Sequence, residues 1–237
     1  MASLSSSPTY QILPVEESDA LEMAKVEALA FKSQEFSTIV FGGCTPTIHE
    51  FRAQRFKRIM AEDTTVRFAK VMVDGRLAAF AQWNLHLDPN WHVEGRRDEK
   101  NAEFKEKEGW RDEKIPELPP GANAEAFHEF YGWLVDVRRR WMGGQKHLLL
   151  SLLVTLPEFQ GRGIGSALLR DGFAVAAEHN VPVWLEASEE GYSLYKRLGF
   201  EDVEAFELDL TKYGGRTVSR GVGMIRAAGE AATEIVL

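Results

Sequence analysis

The spacing of apolar and polar residues predicts helices and strands that follow one another in an α/β chain. Apolar residues recur at helical spacing, or cover most of a helical surface, in five segments: residues 19–31, 47–61, 124–142, 164–177 and 190–198. Apolar runs or strict alternation between turn residues predict strands. These strands cover about residues 10–13, 65–73, 76–87, 148–154, 181–187, 203–210 and 218–225.

Local signals predict several boundaries. Asp74-Gly75 lies between two strand patterns, and both residues of such a turn need a positive φ, so the pair predicts a β-hairpin. Asp19 followed by Glu22 matches a capping box and predicts the start of the first helix. Gly199 is expected to end the helix before it as a left-handed cap.

The chain is organised around a strand, a turn rich in glycine and a helix. The strand over residues 148–154 is apolar except for Ser151, so we expect it to be buried on both faces. The turn runs from Gln160 to Gly165 and leads into the helix. The first N–H groups of a helix lack partners inside it, and its dipole favours negative charge. Glycines let a phosphate approach the main chain, so this stretch predicts an anion site.

Several glycine patterns compete for this turn. The nucleoside-triphosphate loop requires a lysine that the turn does not contain. The dinucleotide pattern GxGxxG is met by Gly161 and Gly163 but has Ser166 at its third glycine. Glu186 follows at about the distance that this pattern expects, whereas the single βαβ unit weighs against it. A tight connection between strand and helix is the purely structural interpretation.

A third pattern, [Q/R]-x-x-G-x-[G/A], is met in full by Gln160, Gly163 and Gly165. A second motif lies further along the chain, where Ser188-x-x-Gly191-x-x-Leu194-Tyr195 is followed by Gly199-Phe200. With these two motifs the chain resembles the GCN5-related N-acetyltransferase (GNAT) family. The whole string, with its long charged insertion, most resembles filamentous-fungal members of that family.

The second motif departs from the family pattern at two positions. Ser188 stands where the family usually has Asn, and Gly191 stands where it usually has Ala. Ser188 is therefore expected to hydrogen-bond the cofactor or the main chain more weakly than Asn does. Tyr195 and Gly199-Phe200 match the pattern.

The resemblance implies the GNAT fold, a mixed and mostly antiparallel sheet of about six or seven strands with a splayed fourth and fifth pair, flanked by helices. It implies acetyl-CoA as cosubstrate and direct acetyl transfer to the amine of a small molecule, without a covalent enzyme intermediate. Tyr195 is the expected general acid for the departing sulfur. The residues that the resemblance implies for cofactor binding are Leu153, Val154, Thr155, Gln160, Gly161, Arg162, Gly163, Ile164, Gly165, Ser166, Ser188 and Tyr192.

The general base is the least determined part of this prediction. Alternation along the organising strand predicts one face made of His147, Leu149, Ser151, Leu153 and Thr155. Ser151 is the catalytic candidate on that face, as a relay through water rather than as a base. His147 and Glu35, the latter in a loop predicted over residues 33–43, are further candidates, although a structural role is favoured for both.

Composition narrows the functional classes. The chain has 237 residues and 44% apolar content, which is sufficient for the core of one domain. A net charge of −8 argues against a nucleic-acid groove, and no apolar run reaches the length of a membrane span. The single Cys44 excludes an internal disulfide and fits a reducing, cytoplasmic compartment. The six histidines show no paired spacing, so no metal site is expected.

The predicted organisation is one GNAT domain over residues 9–226, between tails at residues 1–8 and 227–237. Residues 88–123 mix tryptophans, prolines and dense charge, and are interpreted as an insertion that forms a lid, a partner surface or a mobile loop. We expect no secretory signal and either a monomer or a homodimer. Two alternatives to the enzyme remain open: a non-catalytic CoA-binding regulator or scaffold, and an enzyme with a nucleotide cofactor.

Overall fold

A seven-stranded sheet forms the centre of the structure, a computed structural model that describes residues 10–88 and 116–229. The strands are β1 Ile12–Pro14, β2 Val66–Val73, β3 Arg76–His86, β4 His147–Thr155, β5 Val183–Ser188, β6 Glu201–Asp209 and β7 Val218–Arg226. They lie in the order β1-β2-β3-β4-β5-β7-β6, and β4 and β5 run parallel while the other neighbours are antiparallel. The predicted mixed, mostly antiparallel sheet is confirmed.

Helices flank this sheet. Their bounds are α1 Ala20–Ala30, α2 Glu35–Phe41, α3 Pro46–Glu62, α4 Ala124–Met142, α5 Ile164–His179 and α6 Glu189–Arg197. The hairpin prediction is confirmed, because Asp74 and Gly75 have φ values of 51° and 72° between β2 and β3. Gly199 follows α6 with φ 86°, as its predicted cap role requires.

Two local predictions are wrong. Residues 33–43, predicted as a loop, contain α2, which ends at Gly42 in the left-handed conformation with φ 75°. The capping box lies earlier than expected, because the N–H of Glu16 donates to Asp19 Oδ2 over 2.7 Å. Asp19 therefore closes the short 3-10 turn Glu17–Asp19, and its side chain does not cap α1.

The helices lie on opposite faces of the sheet. Phe56 of α3 contacts Phe68 and Phe80 with ring centroids 5.8 and 5.7 Å apart, so α3 covers the face that these strand residues share. On the other face α5 approaches closely enough that a Cβ at Gly172 would lie 2.2 Å from the Trp83 ring. A glycine is therefore required at this contact, and it brings the start of α5 next to β4.

Helix α4 confirms the predicted bounds of residues 124–142 and lies between β3 and β4 in the chain. Its residues Val137 and Met142 pack with Leu149 of β4 and Trp184 of β5. Leu149 is paired with Asn84 and thereby lies on the same face as α3. Helix α4 begins directly after the predicted insertion at residues 88–123, of which residues 89–115 lie outside the described part of the chain.

The parallel pair β4–β5 is short. Leu148 to Leu150 pair with Val183 to Leu185, but β4 continues to Thr155 and β5 continues to Ser188. Beyond Leu150 the β5-facing main-chain groups of β4 therefore have no strand partner. The sheet opens at this point, as the predicted splayed pair requires.

A bulge in β4 overturns the predicted alternation along this strand. Trp83 pairs with Leu150 and Gln82 pairs with Leu152, so Ser151 has no opposite residue on β3. An extra residue reverses the side to which later side chains point. Leu149 packs with α4, whereas Leu153 lies beside Gly165 at the start of α5. The five residues from His147 to Thr155 therefore do not share one face.

Candidate active site

A cleft of about 1920 Å³ runs through the opening between β4 and β5. One end is lined by the glycine turn from Gln160 to Ser166, and the opposite end by side chains of α2, α4, β6 and β7. Leu153, Val154 and Thr155 of β4 and Ser188 and Tyr195 of α6 and its cap lie along its length. The predicted cofactor and catalytic residues thus all line the cleft except Tyr192, and the further base candidate His147 also lies outside it.

The glycine turn presents main-chain donors to the cleft. Gly161 and Gly163 have φ values of 72° and 82°, and a Cβ at either would meet no atom within 4 Å. Gly163 caps α5 without a side-chain hydrogen bond, and the first bond into the helix is Ala167 N–H to Gly163 O at 3.0 Å. The N–H groups of residues 164–166 therefore have no acceptor within the helix, and together with the helix dipole they suit an anion.

Side chains fix this turn and add positive charge. Gln160 Nε2 donates to Thr155 O over 3.1 Å, which ties the turn to the end of β4. The Arg162 guanidinium lies 5.3 Å from the centroid of the Phe159 ring. Arg170, one helical turn and a half into α5, also lines the cleft, and the sequence analysis missed it because no motif marks it. Both guanidinium groups therefore add positive charge at the glycine-turn end of the cleft, where a phosphate can bind them.

Gly165 lies where β4 and α6 meet the turn. A Cβ at this position would lie 3.5 Å from Leu194 and 3.8 Å from Leu153. These are ordinary van der Waals distances, so Gly165 packs against Leu194 and Leu153 at the base of the cleft. Ser188 caps α6, because its Oγ accepts from Gly191 N–H over 3.4 Å. The hydroxyl thus has a main-chain partner as well as a position on the cleft.

Tyr195 lines the cleft with its phenol side chain. It is only 8% exposed, and its ring lies against Phe200 with centroids 5.7 Å apart. Burial raises the pKa of the Tyr195 hydroxyl well above its usual value, so this group stays protonated and can donate. A Cβ at Gly191 would lie 2.7 Å from Tyr195 Cε2, and the ring therefore occupies the space that a side chain at Gly191 would take.

Tyr192 is placed elsewhere. Its hydroxyl donates to Asp202 Oδ2 over 2.6 Å, and this bond raises the pKa of Tyr192. Residue 192 is not among those that line the cleft, although its neighbours Gly191 and Ser193 are. The predicted cofactor contact of Tyr192 is therefore not supported by its position, because the side chain points to β6.

A polar group occupies the β3–β4 side of the opening. Ser151 Oγ donates to Asn84 Oδ1 over 2.7 Å, and Gln82 Nε2 lies 3.4 Å from the same oxygen. All three residues line the cleft. Asn84 and Gln82 escaped the sequence analysis because the bulge that brings Ser151 toward them is not visible in the alternation of β4. Ser151 keeps acceptor capacity on its oxygen.

The two other candidates for the base are held in structural contacts. Glu35 Oε2 accepts from the N–H groups of Arg216 and Thr217 over 2.9 and 3.1 Å. These bonds, first of all the one from Arg216, lower the pKa of the carboxyl group. His147 is fully buried and does not line the cleft, and its Nδ1–H donates to Gln145 O over 2.8 Å. Burial lowers the pKa of His147 to about 4.

A buried ion pair crosses from α4 to β5 at the edge of the cleft. Arg138 donates through Nε and Nη2 to the two oxygens of Glu186 over 2.7 and 2.6 Å. Trp184 Nε1 adds a third donor to Glu186 at 2.6 Å. This geometry and the mixed sheet exclude the dinucleotide interpretation, in which Glu186 would be open to a ribose on a doubly wound parallel sheet.

Within residues 10–88 and 116–229, no cluster of three or more His, Cys, Asp or Glu side chains has the arrangement of a metal site. None of the helices in these residues combines the length and apolarity that a membrane span needs.

Comparison with known proteins agrees with this geometry. Residues 125–202 match the family model for the acetyltransferase (GNAT) domain. The matched segment contains β4, the glycine turn, α5, β5 and α6, so it includes the glycine-turn end of the cleft. No curated protein matches the sequence.

Solved acetyltransferases share the fold. A structure from Corynebacterium glutamicum, described as histone acetyltransferase HPA2 and related acetyltransferase, superimposes with a TM-score of 0.55 at 20% identity, over 95% of this chain and 100% of that chain. The ribosomal-protein-S18-alanine N-acetyltransferase of Escherichia coli gives 0.52 at 14% identity, over 97% and 100%. PaiA N-acetyltransferase of Thermoplasma acidophilum, solved with coenzyme A, gives 0.51 at 12%, over 93% and 99%. The fold is the GNAT fold; the resemblance to filamentous-fungal members stays a prediction.

Proposed function

We propose that the protein is an acetyl-CoA-dependent N-acetyltransferase that acetylates the amine of a small molecule. The observation that carries this proposal is the opening between β4 and β5, which leads to an uncapped helix start lined by glycines. The match of residues 125–202 to the GNAT domain model supports it. The proposed acceptor and catalytic residues rest only on the chemistry and geometry of the cleft.

The cofactor would lie along the opening with its diphosphate at the glycine turn. Main-chain N–H groups of residues 164–166 would bind the diphosphate, assisted by Arg162 and Arg170. The amides of the pantetheine arm would pair with the free edge of Leu153 to Thr155, as an added strand does. This arrangement carries the thioester toward Ser188 and Tyr195.

The transfer would proceed by direct attack. The lone pair of the neutral amine forms a bond to the thioester carbonyl carbon, and the oxygen becomes an oxyanion. When the tetrahedral intermediate collapses, the carbon–sulfur bond breaks and the electron pair leaves on sulfur. Tyr195, whose phenol is protonated at neutral pH, would donate its proton to that sulfur and regain one from solvent.

The amine must lose one proton before it attacks and one afterwards. Glu35 and Glu186 are engaged by other groups, and His147 lies outside the cleft. Ser151, held by Asn84, can accept a hydrogen bond from the amine, and the amine would lose its proton directly to solvent water. We therefore propose that Ser151 orients the amine, and that no side chain acts as a strong base.

The anion site is tested by acetyl-CoA binding to Gly163→Ala and a matched control. Gly163 and Gly214 have φ values of 82° and 86°, and a Cβ at either meets nothing within 4 Å. Both variants suffer the same backbone strain, but only Gly163 borders the cleft. We expect the acetyl-CoA Kd to rise about tenfold or more in Gly163→Ala and to stay unchanged in Gly214→Ala. Equal Kd values in the two variants would contradict the phosphate role of the turn.

Catalysis is tested by CoA release with a panel of amines. Tyr195→Phe should lower kcat by about 100-fold and leave the acetyl-CoA Kd unchanged, because the ring is kept and only the donor is lost. An unchanged kcat removes Tyr195 from the acid role. Acetyl-CoA binding without turnover of any amine would favour the regulator, and thermal protection by NAD alone would favour a nucleotide-cofactor enzyme.

A further inference from the structure

The end of the cleft that faces away from the glycine turn is built as a two-layered aromatic cluster. Its inner layer is fully buried and consists of Val40, Ala126, Phe127, Leu208 and Leu210. Its outer layer is half-buried, lines the cleft, and is called here the aromatic wall: Phe36, Phe41, Phe130, Tyr131, Trp133 and Phe206. The inner layer suffices as a core, so the outer rings form an apolar surface inside a cleft.

The rings of the wall support one another. Phe36 meets Phe130 edge to face with centroids 4.9 Å apart. Trp133 stacks on Phe206 at 4.6 Å with 22° between the ring planes. Three different elements, α2, α4 and β6, supply these rings. Mutual packing of this kind holds the rings in place before a ligand arrives, which reduces the entropy lost on binding.

Strand register places the wall within reach of the reacting groups. Phe206 of β6 is paired with Gly221 of β7, and Gly221 is paired with Ser188 of β5. Neighbouring strands lie about 4.8 Å apart, so the main chain of Phe206 lies about 10 Å from that of Ser188. Ser188 is the cap of the helix that carries Tyr195. A ligand of a few carbon–carbon bonds can therefore touch the wall while its amine reaches the thioester.

Two carboxylates that line the cleft beside the wall, Glu35 and Glu186, are engaged by other groups. Glu35 begins α2 and accepts hydrogen bonds from Arg216 and Thr217. Glu186 is bound by Arg138 of α4 and by Trp184. If the acceptor carried a second ammonium group, that group would find no free carboxylate on Glu35 or Glu186. The aromatic faces can instead attract a single cation and pack against an apolar group.

We propose, building on the acetyltransferase function above, that the acceptor is a monoamine attached to an aromatic or bulky apolar body. That body packs against the aromatic wall, and the amine points to Ser151 and Tyr195. The surroundings would also shift the amine toward its neutral, nucleophilic form, because burial disfavours the ammonium ion. This loss of the ammonium charge is consistent with the engagement of Glu35 and Glu186, the two carboxylates beside the wall, by other groups.

The test compares initial rates with 2-phenylethylamine, ethanolamine and spermidine at saturating acetyl-CoA. We expect kcat/KM for 2-phenylethylamine to exceed that for either polar amine by about tenfold or more, as is usual when an apolar pocket recognises an added apolar group. Equal or higher kcat/KM for ethanolamine or spermidine would overturn the inference and leave the acetyltransferase function intact.

Variants of the wall locate the effect. Phe130→Leu and Trp133→Leu keep apolar side chains and should raise KM for 2-phenylethylamine about fivefold or more, with the acetyl-CoA KM unchanged. Trp141→Leu is the control, since Trp141 lies on the same helix, is 43% exposed and does not line the cleft. An unchanged KM in both wall variants, with melting temperatures equal to that of the control, would overturn the inference.

Binding separates this inference from the proposed function. Thermal stabilisation by 2-phenylethylamine in the presence of CoA, reduced in Phe130→Leu, would support the aromatic site even if no amine is acetylated, and the enzyme assignment alone would then fall. An absence of both turnover and stabilisation, with acetyl-CoA still bound, would overturn both.

Discussion

The buried imidazole of His147 is expected to make the protein lose stability as the pH falls below neutrality. Burial is the main cause that lowers its pKa from 6.5 to about 4, and the charge of Arg138 acts in the same direction. The hydrogen bond to Gln145 and the charge of Glu186 act in the opposite direction but do not compensate. The native protein thus keeps His147 neutral where the unfolded chain protonates it.

The size of this effect follows from the two pKa values. Below the unfolded value of 6.5 the unfolded state gains a proton that the native state does not bind, so the free energy of unfolding falls with pH until about pH 4. At about 1.4 kcal/mol for each tenfold change in proton affinity, the full loss is about 3 kcal/mol. At pH 5 roughly 2 kcal/mol of this is already lost.

Urea unfolding of the wild type and of His147→Gln measures the effect. Glutamine does not titrate and keeps a hydrogen-bond donor, so the variant removes the proton linkage while other groups titrate equally in both proteins. The stability of the wild type relative to the variant should fall by about 2 kcal/mol between about pH 7.5 and pH 5.

A constant difference between the two proteins would refute the burial argument. The same pair decides whether His147 is a base. Because the imidazole does not line the cleft, the pH dependence of kcat should be the same in both proteins. If the variant loses a kinetic pKa near 6.5, the side chain is open to the substrate and the structural reasoning is wrong.

Two further predictions concern residues near the reacting groups. Gly191→Ala should lower kcat while sparing acetyl-CoA binding, because the new Cβ would lie 2.7 Å from the Tyr195 ring; Gly132→Ala, a helical glycine with nothing within 4 Å of its Cβ, is the control. Equal kcat values in these variants would show that the ring moves freely. Glu35→Gln should leave the shape of the pH–rate profile unchanged. The Glu35 carboxylate is bound to the main chain of Arg216, and this hydrogen bond lowers its pKa, so it is not free to accept a proton from the amine. Loss of the acidic limb of the profile in Glu35→Gln would instead identify Glu35 as the base.

Local patterns predicted most of the fold. The bounds of α4, the hairpin at Asp74-Gly75 and the order of strand, glycine turn and helix around Gly163 depend on residues that are close in the chain. Helix α2 was missed because its seven residues are too few for a helical period to stand out. Its stability comes from distant partners, since Glu35 bonds to the start of β7.

The site could be predicted from the sequence only where residues that are consecutive in the chain form it. The glycine turn is such a case, because a few consecutive residues supply both the curvature and the N–H donors. The group of Gln82, Asn84 and Ser151 could not be found, because the bulge at Ser151 results from pairing with β3. Arg138 and Glu186 are also far apart in the chain, and only the packing of α4 on β5 brings them together.

The two ends of the cleft differ in what determines them. In the proposed function, the glycine-turn end, which lies inside the matched residues 125–202, would bind one constant ligand, acetyl-CoA. The aromatic wall takes Phe130, Tyr131 and Trp133 from inside that match, but Phe36 and Phe41 of α2 and Phe206 of β6 from outside it. A surface that selects among acceptors is free to vary, so its chemistry has to be inferred from this chain's own rings and charges. The aromatic wall and the engaged carboxylates are therefore the decisive observations for the acceptor, and the amine panel tests them independently of the fold.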